Sequence, residues 1–419
     1  MKDLLKFFPL LLLYFFLVLT RGQSALFGDE IRYFAYAENL TQGFYTTPDN
    51  PNLINGPGYP LYLAAFVALN LPPLAPKMVS AVLFFFAIIF FYKSLLFYLP
   101  KRGATLFAYA LGLYWPMLIR LQWNNTEPLA LFLLCGFIYF IIKMTRSPKN
   151  KIIHIILAAM MVGYLALTRD IFSYVILVTL ILSLIYYLIT KNKPGLKWAL
   201  SMGLGFLFVL PYLVYTHSLT GRHFYFSSNG GEQLYWMSSS LPGEFGSFIS
   251  IDSIYERRGQ EVDSVHVQFI DSIFQLPYVE RNDALIARAK ENILENPKGY
   301  LKNIIANILR LVGHGPSSFE YQVWATYKYL FTHFLLLAPF LLSLFPAWIH
   351  RKSIPPEIFF LSLFILIYLG GSILVAAISR YFVLTIPFIL LWLAFFYTYM
   401  IQFSFVNKWQ KNGDFRVKP

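Results

Sequence analysis

Long uncharged runs alternate with short charged breaks along most of the chain. Ten runs are apolar enough to cross a bilayer core, which takes roughly 20 residues: 5–20, 78–99, 103–120, 128–143, 152–168, 171–190, 198–216, 328–349, 357–378 and 381–405. The run Tyr59–Leu71 has 13 residues and ends in Pro72-Pro73, so it is read as re-entrant or interfacial. If it crossed, the sidedness of every later run would invert. Before it, Asp29 can cap a helix opening at Glu30, with Ile31, Phe34 and Ala35 as its apolar face. The one long polar stretch is 217–327, with a Ser/Gly-rich part at 227–247. Helical periodicity runs over Asp283–Arg310, broken at Asn296-Pro297. Past the break, Leu301, Ile304, Ile305, Ile308 and Leu309 form one stripe with Lys302 and Arg310 off it, which lies on the membrane or against the bundle.

The pattern predicts an all-α polytopic membrane protein of about ten transmembrane helices. It has a short outer juxtamembrane helix in the first loop and a large, mostly helical outer loop. Three parts follow: a transmembrane module over 1–216 with its first outer loop at 21–77, the outer loop 217–327, and C-terminal helices with a cytoplasmic tail over 328–419.

Charge orients the spans. Lys101 and Arg102, then Lys143, Arg146, Lys149 and Lys151, then Lys191, Lys193 and Lys197, then Arg351 and Lys352, and finally Lys408, Lys411, Arg416 and Lys418 fall on one side with Lys2 and Lys6. The positive-inside bias makes that side the cytoplasm. The opposite side receives 21–77, 121–127, 169–170, 217–327 and 379–380, with nearly all the acids. A chain 57% apolar and 13% charged, with mean hydropathy +0.56, is an integral membrane protein, so its partner is a lipid bilayer. Its net charge of +13 belongs to the short loops, and no basic stripe interleaves with exposed aromatics, which excludes nucleic-acid binding. Cys135, the only cysteine, excludes an intrachain disulfide and a multi-Cys metal site. Lys2, Lys6 and the run Phe7–Thr20 look like a signal peptide, but Arg21-Gly22-Gln23-Ser24-Ala25 is a poor cleavage site, so the first helix is expected to be retained.

Ionisable groups at a bilayer edge are costly and mark candidate sites. Asp29 and Glu30 come first. Asp29, Arg32 and Tyr33 fall at i, i+3 and i+4 and share a helix face, while Glu30 is turned roughly 100° away. Asn55-Gly56-Pro57-Gly58-Tyr59 is either an ordinary turn or a place where backbone approaches a ligand closely. Glu127 opens a helix at Pro128, where the dipole favours an anion, and is the second candidate carboxylate. Arg169 and Asp170 interrupt nearly 40 apolar residues, as a local ion pair or as a cation aimed at phosphate. Arg380, followed by Tyr381, stands alone between apolar runs and is the cleaner phosphate candidate. Tyr33, Tyr59, Tyr62 and Trp123 can stack on a sugar or anchor helices at the interface. His217, His223 and His314 are too loosely spaced for a metal site, so no metal or other cofactor is assigned; a divalent metal remains possible but is not indicated.

The acidic Gly28-Asp29-Glu30-Ile31-Arg32-Tyr33 after the first span, with Tyr59-Pro60-Leu61-Tyr62, Thr126-Glu127-Pro128-Leu129 and Ser379-Arg380-Tyr381, resembles the GT-C glycosyltransferases. The chain looks most like the protein O-mannosyltransferases and the bacterial lipid A aminoarabinose transferases. The resemblance covers most of the first 190 residues and the final spans. It implies transfer, with inversion, of a sugar from a polyprenyl-phosphate donor to a lipid, glycan or protein acceptor. The site would face the exterior of a bacterial cytoplasmic (inner) membrane. It makes Asp29 the first-loop acid and general base, Glu30 its neighbour, and Arg380 or Arg169 the partner of the leaving phosphate. Relatives of the aminoarabinose type show Glu-Lys-Pro-Pro before the Leu-Tyr, where this chain has Asn55-Gly56-Pro57-Gly58. Either Glu127 and an arginine take over those roles, or donor and acceptor differ.

Two other readings compete. A polysaccharide polymerase or ligase using a polyprenyl-diphosphate donor would want an Arg-rich outer loop. Here Arg222, Arg257, Arg258, Arg281, Arg288 and Arg310 are mostly balanced by acids. A transporter or flippase would want charges within spans and repeat symmetry, and the spans hold few charges.

Overall fold

The structure is a computed structural model describing residues 2–22, 25–147, 151–251, 254, 262–319, 323–327 and 329–399. It is all-α, with no strand among the described residues. Helix α1 (Lys2–Arg21) is followed by two short helices, α2 (Asp29–Thr41) and α3 (Gly58–Ala68). Then come α4 (Leu74–Leu95), α5 (Lys101–Gly112), α6 (Trp115–Arg120), α7 (Glu127–Arg146), α8 (Lys151–Thr168), α9 (Ile171–Thr190) and α10 (Lys193–Thr220). The large loop carries α11 (Gly230–Ser238), α12 (Ser264–Ile273), α13 (Tyr278–Glu295) and α14 (Pro297–Gly313). The chain ends in α15 (Leu330–Ile349), α16 (Pro356–Val375) and α17 (Ser379–Tyr399), the last with a 3-10 turn at Val383–Thr385. Nine described helices are long and apolar enough to cross a membrane. The protein is a multi-pass membrane protein.

One predicted span is corrected. Residues 103–120 do not form one helix but split into α5 and α6. Pro116 has no N–H, and its ring would clash with the carbonyl four residues back, so the helix stops at Gly112 and restarts at Trp115. The two pieces still carry the chain between the ends of the bundle, from Tyr98 at one to Asn124 at the other. α3, at 11 residues, is too short to cross. Of the predicted cytoplasmic charges, Lys149, Lys408, Lys411, Arg416 and Lys418 lie outside the described residues, as does the end of the last predicted span.

Contacts between distant helices define the two ends. At the basic end, the Tyr98 hydroxyl donates to Glu357 Oε1 at 2.8 Å, Arg146 Nε donates to the same oxygen at 2.5 Å, and Lys197 Nζ donates to the Met144 carbonyl at 3.0 Å. At the other end, residues from α2, α7, α17 and the turn before α9 converge. The middle is packed around α7, where Leu131, Leu134, Cys135, Phe137, Ile138 and Ile141 are fully buried. α8 and α10 approach at Gly163 and Gly205; a Cβ on Gly163 would lie 2.8 Å from the Gly205 carbonyl oxygen. The large loop has a core of its own, in which Trp236, Ile254, Ile270 and Leu285 are buried. At its centre His266 Nε2 sits 3.0 Å from Glu244 Oε1, and Nδ1 lies 2.6 Å from the Tyr235 hydroxyl.

Candidate functional site

Asp29 does not cap α2 as expected: Gly28 takes the N-cap position, and Asp29 is the first helical residue, its carboxylate between two guanidinium groups. Arg32, one turn on, donates from Nη2 to Asp29 Oδ1 at 2.7 Å. Arg380, at the start of α17, donates from Nη1 to Oδ2 at 3.0 Å. Arg32 Nε in turn donates to Asn55 Oδ1 at 2.6 Å, which fixes the guanidinium plane. Burial of Asp29 opposes its ionisation, but the charges of Arg380 and Arg32, the hydrogen bond from Arg380 and the more distant Arg169 outweigh it. Its carboxyl is therefore held below the usual range. Burial and the nearby Asp29 charge push the Tyr33 phenol up.

A second pair stands beside the first. Arg169 Nη2 donates to Glu127 Oε1 at 2.6 Å, with Glu127 1% exposed. The ion pair of Arg169 thus crosses from the α8–α9 turn to the start of α7, and the expected local Arg169–Asp170 pair does not occur among the described residues. Asp170 is instead held by Ser227, and burial raises its carboxyl. The Tyr381 ring lies between the two arginines, 5.4 Å from Arg169 Cζ and 5.8 Å from Arg380 Cζ. The Tyr368 hydroxyl anchors the kink by donating to the Tyr381 carbonyl at 3.1 Å. Arg169 and Arg380 each retain a buried Nε–H without a partner among the described residues, and so does nearby Arg120. Buried donors without acceptors are costly, and a guanidinium N–H suits an anionic oxygen.

Glu30 points away from Asp29, as the helical spacing predicts. It is 1% exposed; Asn124 N donates to its Oε1 at 2.5 Å, Phe27 N to its Oε2 at 3.1 Å, and Lys77 Nζ lies 3.6 Å from Oε1. It braces α2, α4 and the link into α7. Tyr59 is fully buried, its ring 5.1 Å from Tyr33, and packs as part of the core. Among the histidines, His217 and His223 stack at 4.6 Å, while His314 Nδ1 bonds the Ser379 hydroxyl at 2.8 Å. No group of three or more His, Cys, Asp or Glu side chains able to hold a metal occurs among the described residues.

Both glycines of the 55–59 turn stand against the backbone of another helix. A Cβ on Gly56 would lie 2.4 Å from the Leu167 carbonyl oxygen, and one on Gly58 would lie 2.6 Å from Thr168 N. The close approach is to the end of α8, immediately before Arg169. Gly58→Ala is therefore expected to push Arg169 off Glu127. Overpacking of this kind costs about 1–3 kcal/mol, readable as a lower unfolding temperature in detergent. An unchanged unfolding temperature would show that the contact yields without strain.

Sequence reasoning missed Lys77, Arg120, Asn124 and Tyr368. Lys77 was legible in principle: it is a lone cation beside a span on the acid-bearing face.

No protein-family model matches the sequence, and no curated protein matches it. Solved structures similar to the chain include two of one protein. One is the crystal structure of ArnT from Cupriavidus metallidurans bound to undecaprenyl phosphate, at 14% identity and TM-score 0.43, covering 94% of this chain and 78% of that one. The other is the same protein in the apo state, at 13% identity and TM-score 0.40, covering 93% and 76%. ArnT is a GT-C lipid A aminoarabinose transferase, one of the families the sequence motifs resemble. Likeness at this level carries no argument about chemistry; the side chains at the acid-bearing end do.

Proposed function

We propose that the protein is a membrane glycosyltransferase that moves a sugar from a polyprenyl-phosphate donor to a lipid, glycan or protein acceptor, on the exterior face of a bacterial cytoplasmic membrane. The observation that carries the reading is the constellation at the acid-bearing end of the bundle: the Asp29 carboxylate between Arg32 and Arg380, beside Arg169, with buried donors still open. Its position at the membrane edge suits a donor whose lipid stays in the bilayer while its phosphate and sugar emerge.

The acceptor oxygen attacks the anomeric carbon from the side opposite the phosphate, so configuration inverts. As the new C–O bond forms, the bond to the phosphate oxygen breaks and its electron pair leaves with the polyprenyl phosphate. The acceptor proton passes to Asp29. A carboxylate of depressed pKa is a weak base, so the proton moves late, once the acceptor oxygen has bonded and turned acidic. Arg380 and Arg169 meet the negative charge growing on the leaving phosphate. Glu127 holds Arg169 in place. Arg32, Tyr33, Asn55 and Tyr381 shape the surroundings of Asp29.

Transfer of radiolabelled sugar from purified polyprenyl-monophosphate donors, by the reconstituted protein, tests the reading. Transfer with inversion supports it. Transfer only from diphosphate donors overturns it in favour of a polymerase or ligase. That alternative has little support in the loop: Arg222 pairs with Asp283, Arg288 lies 3.1 Å from Glu291, and Arg310 is spent on backbone carbonyls. Arg257 and Arg258 lie outside the described residues.

The pH profile follows from the paired arginines. A base is active when deprotonated, and Asp29 stays deprotonated until the pH falls below its lowered pKa. The acid limb of kcat/KM is expected below the ordinary Asp value of about 4. Arg380→Gln removes the strongest charge holding it there and should move the limb to higher pH. A limb that stays in place in Arg380→Gln would show that the titrating group is not Asp29.

A further inference from the structure

Helix α14 is built inside out. At roughly 100° per residue, Asn303, Ala306, Asn307 and Arg310 share one side of it, and Leu301, Ile305, Ile308 and Leu309 share the opposite one. The polar side is buried: Asn303 Nδ2 donates to the Met237 carbonyl at 3.0 Å, Asn307 Nδ2 to the Ile373 carbonyl at 3.0 Å, and Arg310 Nη2 to the Phe245 carbonyl at 2.6 Å. The apolar side is bare: Leu301 is 58% exposed, Ile305 55%, Ile308 44% and Leu309 55%. A helix on a water-facing domain carries the reverse arrangement.

The helix is also pinned along its length to the ends of spans. Near its start the Tyr300 hydroxyl donates to the Leu374 carbonyl in the last turn of α16, at 2.7 Å. Near its end the Val312 carbonyl meets His333 Nδ1 in the first turn of α15, at 2.6 Å, and His314 reaches Ser379 at the head of α17. Both ends of α14 therefore sit at the level where spans enter the membrane, so the helix runs along that level. The span ends to which it is pinned carry exposed apolar side chains of their own, Phe331 and Phe334 on α15 and Leu374 on α16. Lys298 and Lys302 are exposed beside the stripe, and Trp324 is 93% exposed. The Trp324 segment returns to the helix end, where the Tyr327 ring lies against Gly315. Interfacial helices carry this mixture of apolar stripe, basic flank and aromatic anchor.

We infer that α14 lies in the membrane interface of the acid-bearing face, its Leu301–Leu309 stripe sunk among the acyl chains and Lys298 and Lys302 at the headgroup phosphates. The large loop is thus seated on lipid and not suspended in water. Because the same helix ends at His314, bonded to the residue before Arg380, its seat sets the height of the loop over the candidate site. This inference stands independently of the glycosyltransferase reading.

The test uses the full chain with Cys135→Ala and single cysteines, Ile305→Cys and Leu309→Cys, each carrying an environment-sensitive fluorophore. Phe331→Cys is the lipid-facing reference and Glu291→Cys, at an exposed position of α13, the aqueous one. All four labels replace exposed side chains; Cys135 is fully buried, so the unlabelled Cys135→Ala protein is the folding control. In phosphatidylcholine vesicles brominated on the acyl chains, the labels at 305 and 309 should lose fluorescence as the label at 331 does, and the label at 291 should not. Quenching of 305 and 309 by aqueous iodide to the extent seen at 291 would overturn the inference. Protection from both quenchers would overturn it too, because a protein surface would then cover the stripe.

Discussion

Asp29→Asn is expected to lower sugar transfer by about 10²–10⁴-fold, the usual weight of one positioned base, while donor binding persists. The substitution is nearly isosteric. An Asn Oδ1 can still accept from Arg32 or Arg380, so the start of α2 keeps its geometry. What is lost is the capacity to take the acceptor proton. One guanidinium is also released: with the carboxylate gone, Arg380 is free to turn its Nη1 toward phosphate. The split is therefore directional, with kcat falling steeply and the Kd for polyprenyl phosphate unchanged or tighter. Equilibrium binding and single-turnover transfer at matched amounts of protein separate the two. Equal turnover by Asp29→Asn and wild type would remove Asp29 as the base and pass the role to Glu127, the other carboxylate beside the arginines. A parallel loss of binding and turnover would mean that Asp29 only holds Arg32 and Arg380 in place.

How much of this was legible in the chain depends on the range of the interaction. The Asp29–Arg32 contact is set by helical spacing and could be read directly. The gathering of Asp29, Glu127, Arg169 and Arg380 at one end follows from span boundaries and charge bias. Which acid meets which arginine does not: Arg169 chooses Glu127, 42 residues away, over its neighbour Asp170 because of how α7, α8 and α9 cross. The 55–59 glycines announce a close approach but not its partner, which is the backbone of α8. Hydropathy sees 103–120 as one apolar run, whereas Pro116 acts on backbone hydrogen bonding that hydropathy does not measure. The stripe on α14 was visible as periodicity; that the polar side would face inward was not, because it depends on carbonyls supplied by the large loop and α16.

The second large effect concerns stability and falls on Glu30. Reading the span from residue 78 placed Lys77 in the preceding loop, but α4 begins at Leu74 and draws Lys77 into the bundle, where it is fully buried. Glu30 and Lys77 bury opposite charges 3.6 Å apart. Desolvation and attraction roughly cancel in such a pair while it is whole, but breaking it strands a charge at a cost of about 3–5 kcal/mol. Glu30→Gln should show the larger share of that loss, since it takes the carboxylate away from Lys77 and sets an amide NH₂ against the Asn124 or Phe27 N–H. Lys77→Met should cost less, because two N–H groups still hold the carboxylate. The double variant should recover part of the loss, with a coupling of about 0.5–3 kcal/mol. Unfolding midpoints of the three variants in one detergent measure it. Strict additivity would show that the two charges do not interact. The acid limb of transfer should stay where it is in Glu30→Gln even as the protein loses stability, because Glu30 braces the helix that carries Asp29 and takes no proton from the acceptor. A limb displaced in Glu30→Gln would make Glu30 part of the chemistry and reassign the base.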